Sequence, residues 1–143
     1  MKIAFSGAGY IINIHAKAAQ AQKDVELIAV IEKFSDKSAA LAQKFKIKNQ
    51  YHTVAELLKA GSVDALIRTP NFLHAPQAIA ALQAGVHVMV EKPMAMNARE
   101  AEKMLESSAK SGAKLMVAHC WRFDEDVNWI KVQSQKLGKI IRT

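Results

Sequence analysis

Short apolar runs alternate along the chain with longer segments in which apolar residues recur at helical spacing. The runs are continuous or nearly so, and they lie at Ile3–Phe5, Leu27–Ile31, Val63–Ile67, Val86–Val90 and Leu115–Ala118. Continuous apolar runs of this length are typical of strands that are buried on both faces of a parallel sheet. With helix-length segments between them and right-handed crossovers, the pattern predicts a three-layer α/β fold with a doubly wound parallel sheet.

Residues that begin and end helices bound the segments between these runs. Ser35 is predicted to cap the second helix. Thr53 and Asn97 are each followed three residues later by a glutamate, which predicts capping boxes. Glycines are predicted to end the later helices, at Gly61, Gly85, Gly112 and Gly138.

The apolar spacing also predicts which face of each helix is buried. For the second helix, the expected buried residues are Ala39, Ala42 and Phe45. For the helix after Asn97, they are Ala101, Met104, Leu105 and Ala109. A last amphipathic helix is expected from about Asp124 to Leu137.

The first strand, turn and helix carry the clearest chemical signal. Gly7-Ala8-Gly9 follows the run Ile3–Phe5 and precedes a helical pattern. Two glycines at such a junction allow a tight turn and let a phosphate approach the backbone at the helix N-terminus. Glu32 closes the second run about twenty residues later, where a dinucleotide-binding βαβ unit places the acid that binds the adenosine ribose. The alternative is a plain glycine turn, with Glu32 at a solvated strand end.

Composition and charge restrict the class of protein. The chain has 143 residues, 50% of them hydrophobic, which predicts one domain. The net charge is +7, but the basic residues are spread over many segments without interleaved aromatics, so no nucleic-acid partner is expected. Cys120 is the single cysteine, and no apolar run reaches the roughly 20 residues of a membrane span. We therefore expect a soluble, cytoplasmic protein without a membrane partner.

Several stretches together resemble one known family. They are Gly7–Ile11, Thr69-Pro70-Asn71 with His74, Ala84–Val88 running into Glu91-Lys92-Pro93, and His119 with Arg122-Phe123. This combination resembles the N-terminal nucleotide-binding domain of the Gfo/Idh/MocA oxidoreductases, the family of glucose-fructose oxidoreductase and inositol dehydrogenase. The resemblance implies a single Rossmann-fold domain over residues 1–138. It also implies that residues 139–143 begin a connection to a second domain that this chain lacks.

The same resemblance implies a function. It predicts an NAD-dependent dehydrogenase, with NADP as a second option, that acts on sugars, polyols or cyclic hydroxy compounds. Lys92 is the implied catalytic residue, close to the substrate hydroxyl and the nicotinamide, and its bond to Pro93 is typically cis in such proteins. A lysine at the end of a buried strand can have a lowered pKa and relay a proton. Without the second domain, which supplies most substrate contacts, the chain alone is expected to be inactive.

The predicted cofactor-binding residues follow the matching motifs. They are Gly7, Ala8, Gly9, Tyr10, Ile11, Glu32, Lys33, Thr69, Pro70, Asn71, His74, Glu91, Lys92 and Pro93. The remaining histidines and Cys120 lack metal-ligand spacing, so no metal is predicted. The implied partners are a small-molecule substrate, given the second domain, and a further copy of the chain in a homo-oligomer.

Alternatives stay open at several of these positions. Asn71 could only form an Asx turn, and His74 could only cap the next helix. Lys92 could be a solvated lysine, and His15 is assigned to packing on its helix. Ile12 and Arg68 stand where the family often has small residues, which bears on cofactor affinity. The competing function is a non-catalytic dinucleotide-binding module, either a redox sensor or a partner subunit.

Overall fold

The computed structural model describes residues 1–61, 63–68 and 71–138. Its strands are β1 (Lys2–Ser6), β2 (Glu26–Ile31), β3 (Asn49–Tyr51), β4 (Ala65–Arg68), β5 (His87–Val90) and β6 (Leu115–Val117). They form a six-stranded sheet in the order β3-β2-β1-β4-β5-β6, and all neighbouring pairs are parallel. This confirms the doubly wound parallel sheet. The predicted connection at residues 139–143 lies outside the described residues.

Helices cover both faces of the sheet. They are α1 (Tyr10–Gln20), α2 (Ser35–Phe45), α3 (Val54–Ala60), α4 (His74–Gln83), α5 (Ala98–Ser111) and α6 (Glu125–Ser134). Two short 3-10 helices, Asn71–Leu73 and Cys120–Phe123, precede α4 and α6. One core cluster joins the sheet to α1 and α2, and the other joins it to α3, α4 and α5. The predicted three-layer arrangement is therefore confirmed.

The helix boundaries follow local hydrogen bonds. Thr53 Oγ1 accepts from the Glu56 N–H at 3.2 Å, and Asn97 Oδ1 accepts from the Glu100 N–H at 3.0 Å, so both predicted capping side chains are present. The His52 N–H donates to Glu56 at 2.9 Å, which is the main cause that lowers the pKa of that carboxyl group. Gly112 ends α5 in the left-handed region, with φ 73°.

The prediction that Ser35 caps α2 was wrong. Phe34 is the N-cap residue, with an extended backbone and no side-chain cap, and Ser35 is the first helical residue. The Phe34 N–H donates to the Glu32 carboxylate at 3.2 Å, and this bond stabilises the turn that leads into α2. The helix therefore begins directly after Phe34.

The predicted buried faces of two helices also need correction. In α2, Ala39 is exposed, whereas Ser38, Leu41, Ala42 and Phe45 are buried. In α5, Leu105 is 57% exposed, Ala109 is exposed and Ala101 is half-buried, and the buried residues are Met104 and Ser107. A serine can replace an apolar residue in this narrow stripe because its hydroxyl donates to the Lys103 carbonyl at 2.8 Å. The last helix is shorter than predicted, and none of its described residues is buried.

Candidate active site

The sheet order places a crevice between β1 and β4. The strand order reverses there, and ligands of open α/β sheets bind outside the carboxyl ends of the strands at such a point. The loops after β1, β2 and β5 all leave the sheet at this edge, because the strands are parallel. These loops carry most of the residues predicted to bind a cofactor, and the predicted residues Asn71 and His74 follow β4.

The glycine turn after β1 combines an unusual backbone conformation at Gly7 with open space beside Gly9. Gly7 adopts φ 105°, which favours glycine, and its N–H donates to the Ile31 carbonyl at 2.7 Å. Gly9 is the N-cap of α1, with φ −77°, which any residue can adopt. A Cβ at Gly9 would meet nothing within 4 Å. Neither the backbone nor the packing therefore requires glycine at position 9, and open space lies beside the N-terminus of α1.

Glu32 lies directly against this turn. Its Oε2 accepts from the Ala8 N–H at 3.0 Å, and its Oε1 accepts from the Phe34 N–H at 3.2 Å. The side chain is half-buried, whereas the neighbouring Lys33 is exposed. The spacing in the sequence thus brings the acid and the glycine turn together, as a dinucleotide site requires.

A small cavity of about 100 Å³ opens beside Glu32 and Gly7. His52, which follows β3, and Gln77 of α4 also line it. Ser6 Oγ donates to Gln77 Oε1 at 3.1 Å across the crevice between β1 and α4. Ser6, His52 and Gln77 were not among the residues predicted from the sequence. The position of His52 directly after Tyr51, the last residue of β3, was the one available signal.

The Glu-Lys-Pro turn follows β5. Glu91 is half-buried, and its Oε1 lies 2.7 Å from Nε2 of His15 on α1. The other oxygen, Oε2, accepts from the Lys92 N–H at 3.3 Å. The Lys92–Pro93 peptide bond is cis, as the family resemblance implied. Lys92 and Pro93 are exposed, and the contact between His15 and Glu91 was not foreseen.

His74 supports the same turn from the other side. Its side chain is 0% exposed, and Nδ1 lies 2.9 Å from the Pro93 carbonyl oxygen. Because a carbonyl oxygen can only accept, Nδ1 carries the proton in this hydrogen bond. The N-cap of α4 is Leu73, so the alternative that His74 caps this helix was wrong. Its assignment to the cofactor site stays a prediction.

The other predicted residues are placed as follows. Asn71 is exposed at the start of a 3-10 helix, and Tyr10 is exposed at the start of α1. Ile11 is half-buried, and Ile12 is fully buried. Thr69 and Pro70 lie outside the described residues, so their assignment to the cofactor site stays a prediction. His119 is exposed after β6.

Among the described residues, no group of three or more histidine, cysteine, aspartate or glutamate side chains is arranged to hold a metal ion. No helix in the described part of the chain is long and apolar enough to cross a membrane.

The sheet order, the glycine turn and the acid after β2 define a dinucleotide-binding domain of the Rossmann class. The model of the oxidoreductase family with an NAD-binding Rossmann fold, GFO_IDH_MocA, matches residues 1–119, and the chain belongs to this family. The family resemblance in the sequence is thus confirmed.

Named relatives extend this result. The chain is 35% identical over 131 residues to 4-carboxy-2-hydroxymuconate-6-semialdehyde dehydrogenase from Sphingobium sp., which covers 91% of the chain and 42% of the relative. It is 28% identical to scyllo-inositol 2-dehydrogenase (NADP(+)) IolU from Bacillus subtilis, over 99% of the chain and 44% of the relative. The chain therefore spans less than half the length of these curated relatives.

A solved structure shows the same fold. The WlbA dehydrogenase from Chromobacterium violaceum, determined in complex with NADH and UDP-GlcNAcA, superimposes with a TM-score of 0.89 at 28% sequence identity. The match covers 95% of this chain and 40% of that protein. The shared region is thus one part of a larger enzyme in that case.

Proposed function

We propose that this chain is the cofactor domain of an NAD(P)-dependent oxidoreductase. The proposed reaction moves hydride between the nicotinamide and a hydroxyl or carbonyl carbon of a sugar, polyol or cyclic hydroxy compound. The observation that carries the proposal is the 3.0 Å bond from the Ala8 N–H to Glu32, which joins the acid to the glycine turn. The dehydrogenase names of the relatives favour this function over a non-catalytic binding module.

The residues present fit a dinucleotide. The open space beside Gly9 leaves room for a phosphate at the N-terminus of α1, whose N–H groups and dipole attract anions. No acidic residue lies in the first turn of α1 to repel it. Glu32 would accept from the ribose hydroxyls, and its negative charge would disfavour a 2′-phosphate. We therefore propose NAD(H) as the preferred cofactor, although the exposed Lys33 beside Glu32 works against this preference.

Lys92 is the proposed catalytic residue. The nicotinamide, when bound, would donate or accept the hydride. Lys92 Nζ would hold or take the proton of the reacting hydroxyl, a role that typically contributes about 10²- to 10⁴-fold in rate. Lys92 is exposed in this chain, so water has access to it. We propose that a second domain, present in the longer protein, encloses Lys92 and supplies the substrate contacts.

We retain the cytoplasm as the proposed compartment, because a single cysteine offers no intrachain disulfide. A homo-oligomer and the absence of a nucleic-acid partner also remain proposals. The basic residues that raised the question of nucleic acid are spread over several helices.

The test is a calorimetric titration of the 143-residue chain with NADH and with NADPH. We expect NADH to bind about tenfold more tightly or better, which corresponds to about 1.4 kcal/mol. Glu32→Ser should remove most of this preference. Glu26→Gln is the matched control, because Glu26 is an exposed glutamate at the opposite end of β2. Equal or tighter binding of NADPH by the unchanged chain would show that Glu32 does not have the assigned role.

A further inference from the structure

We propose that His15 is a positioning residue for Lys92. Through Glu91, it would hold the Glu-Lys-Pro turn in the geometry that the reaction needs. The inference rests on the proposed function of Lys92 as the proton-transfer residue.

The contact joins two parts of the chain with different roles. His15 and Glu91 are 76 residues apart in the sequence, and their Nε2 and Oε1 atoms lie 2.7 Å apart. Their side chains are only 19% and 14% exposed, so solvent competes weakly for the contact. His15 belongs to α1, the helix whose N-terminus borders the glycine turn. A single helix therefore contacts both the proposed phosphate site and the turn that carries Lys92.

The Glu91 carboxylate links His15 to Lys92. Its two carboxylate oxygens are used separately, Oε1 by His15 and Oε2 by the Lys92 backbone N–H at 3.3 Å. Because a carboxylate is planar and rigid, the bond to His15 also fixes the acceptor that Lys92 uses. Loss of the histidine would let the carboxylate rotate, and the Lys92 backbone would lose its fixed acceptor.

The turn is held from the opposite side as well. The buried His74 of α4 donates to the Pro93 carbonyl at 2.9 Å. Helices α1 and α4 belong to the two different core clusters of the sheet. The residues before and after Lys92 are thus each bonded to a histidine, while Lys92 itself is exposed. Such support matters because a misplacement of about 1 Å can reduce a rate by about 100-fold.

The first experiment measures the backbone order of Lys92 by NMR relaxation in the 143-residue chain. We expect an order parameter near 0.85 in the unchanged chain and below about 0.6 in His15→Leu. His15→Gln should keep the high value, because the glutamine amide can donate from about the position of Nε2. Lys17→Ala is the control, since Lys17 is exposed on the same helix. If His15→Leu leaves the Lys92 order parameter unchanged, the inference is wrong.

The second experiment measures turnover in the protein extended through a second domain. We expect His15→Leu to lower kcat by between about tenfold and 100-fold, with NAD(H) affinity changed less than twofold. His15→Gln should restore most of kcat, which a merely structural role would not require. If His15→Leu does not fold by circular dichroism, Glu91→Ala takes its place, since it removes the contact with His15 together with the acceptor of the Lys92 N–H.

Lys92→Ala in the same assay separates the two levels of the proposal. If Lys92→Ala is inactive and His15→Leu keeps full kcat, the positioning role is overturned while the role of Lys92 stands. If Lys92→Ala keeps full turnover, the proposed function of Lys92 fails, and the positioning role fails with it. Equal losses of kcat in His15→Leu and His15→Gln would also overturn the inference.

Discussion

The carboxyl edge of the sheet has two halves, whose proposed functional residues, Glu32 and Lys92, differ in how closely the protein surrounds them. The binding half comprises the loops after β1, β2 and β3, where Glu32 accepts from two backbone N–H groups. Phe5 of β1 is 0% exposed in the core cluster that joins the sheet to α1 and α2. The chemistry half comprises the loops after β4, β5 and β6, together with α6. There Lys92 is exposed, and Trp121 and Phe123 are 68% and 70% exposed.

This difference between the two halves suggests that cofactor binding and hydride transfer have different structural requirements. Contiguous exposed apolar patches mark interaction surfaces, and the exposed Trp121 and Phe123 belong to one short 3-10 helix. Helix α6 adds Trp129, which is 64% exposed, and none of its described residues is buried. The chain also spans 42% of the Sphingobium relative. We therefore expect the binding half to work in the isolated chain and the chemistry half to need a further surface.

The largest expected effect concerns stability. Phe5→Ala should lower the free energy of unfolding by about 3–5 kcal/mol, because it leaves a cavity under the binding half. Trp129→Ala in the chemistry half should change it by less than about 0.5 kcal/mol, because the indole is 64% exposed. Urea unfolding of both variants measures the two values. A loss above about 2 kcal/mol for Trp129→Ala would show that Trp129 is already packed in the isolated chain, so that α6 does not leave the chemistry half open.

The next effect concerns turnover. In the protein extended through a second domain, Lys92→Ala should reduce kcat by about 100-fold or more, in line with general acid–base catalysis. NAD(H) affinity should hardly change, because the binding half is untouched. The 143-residue chain alone should turn over essentially no sugar or polyol substrate. Lys110→Ala is the control, since this lysine is exposed on α5 in a surface pair with Glu106.

Robust turnover by the 143-residue chain would contradict the separation of the two halves. An active Lys92→Ala variant of the extended protein would instead contradict the catalytic role of Lys92. It would not affect the separation between the binding half and the chemistry half. A panel of sugars and polyols, assayed by the absorbance of NADH, distinguishes these outcomes.

Two glycines offer a comparison of binding with folding. Gly9→Ala should weaken NAD(H) binding by about tenfold, because the added Cβ enters the open space beside α1. The free energy of unfolding should change by less than about 1 kcal/mol, the range of helix-cap substitutions. Gly85→Ala should do the reverse, since Gly85 has φ 78° and lies after α4. Calorimetry and thermal unfolding of both variants test this, and unchanged affinity in Gly9→Ala would rule out a phosphate beside Gly9.

The smallest expected effect concerns the net charge of +7. We expect weak, sequence-independent binding to duplex DNA, which falls steeply as salt rises because the release of counterions from the DNA becomes less favourable. A fluorescence anisotropy titration at several salt concentrations measures it. A sub-micromolar complex near physiological salt would show that the basic residues form a nucleic-acid surface.

Most local signals in the sequence predicted the structure correctly, with the cap at Ser35 as an exception. The capping boxes at Thr53 and Asn97 depend on residues three positions apart, and both capping side chains accept the expected hydrogen bonds. The alternation of apolar runs with helix-length segments predicted the parallel sheet. This signal is also local, because each strand is a contiguous segment of the chain. Glu32 lies against the glycine turn because the βαβ unit has a nearly fixed length, while its role in cofactor binding stays a prediction.

Contacts between distant segments were not predictable in this way. The bond between His15 and Glu91 spans 76 residues, and no local pattern marks His15 as anything other than a helical residue. In α5, the apolar Leu105 is exposed while the polar Ser107 is buried, because helix packing decided the face and a local hydrogen bond satisfied the hydroxyl. Such outcomes depend on the neighbouring elements rather than on the residue type.

The central claim, that the isolated chain binds a dinucleotide at its binding half, is tested most directly by NMR titration of the 143-residue chain with NADH. We predict the largest amide shift changes at Gly7–Ile11 and Glu32, including the Ala8 N–H that donates to Glu32. Changes at Lys92 should be smaller, because we expect the chemistry half to need a further surface. No shift changes at the glycine turn, or changes confined to another face of the sheet, would contradict the account.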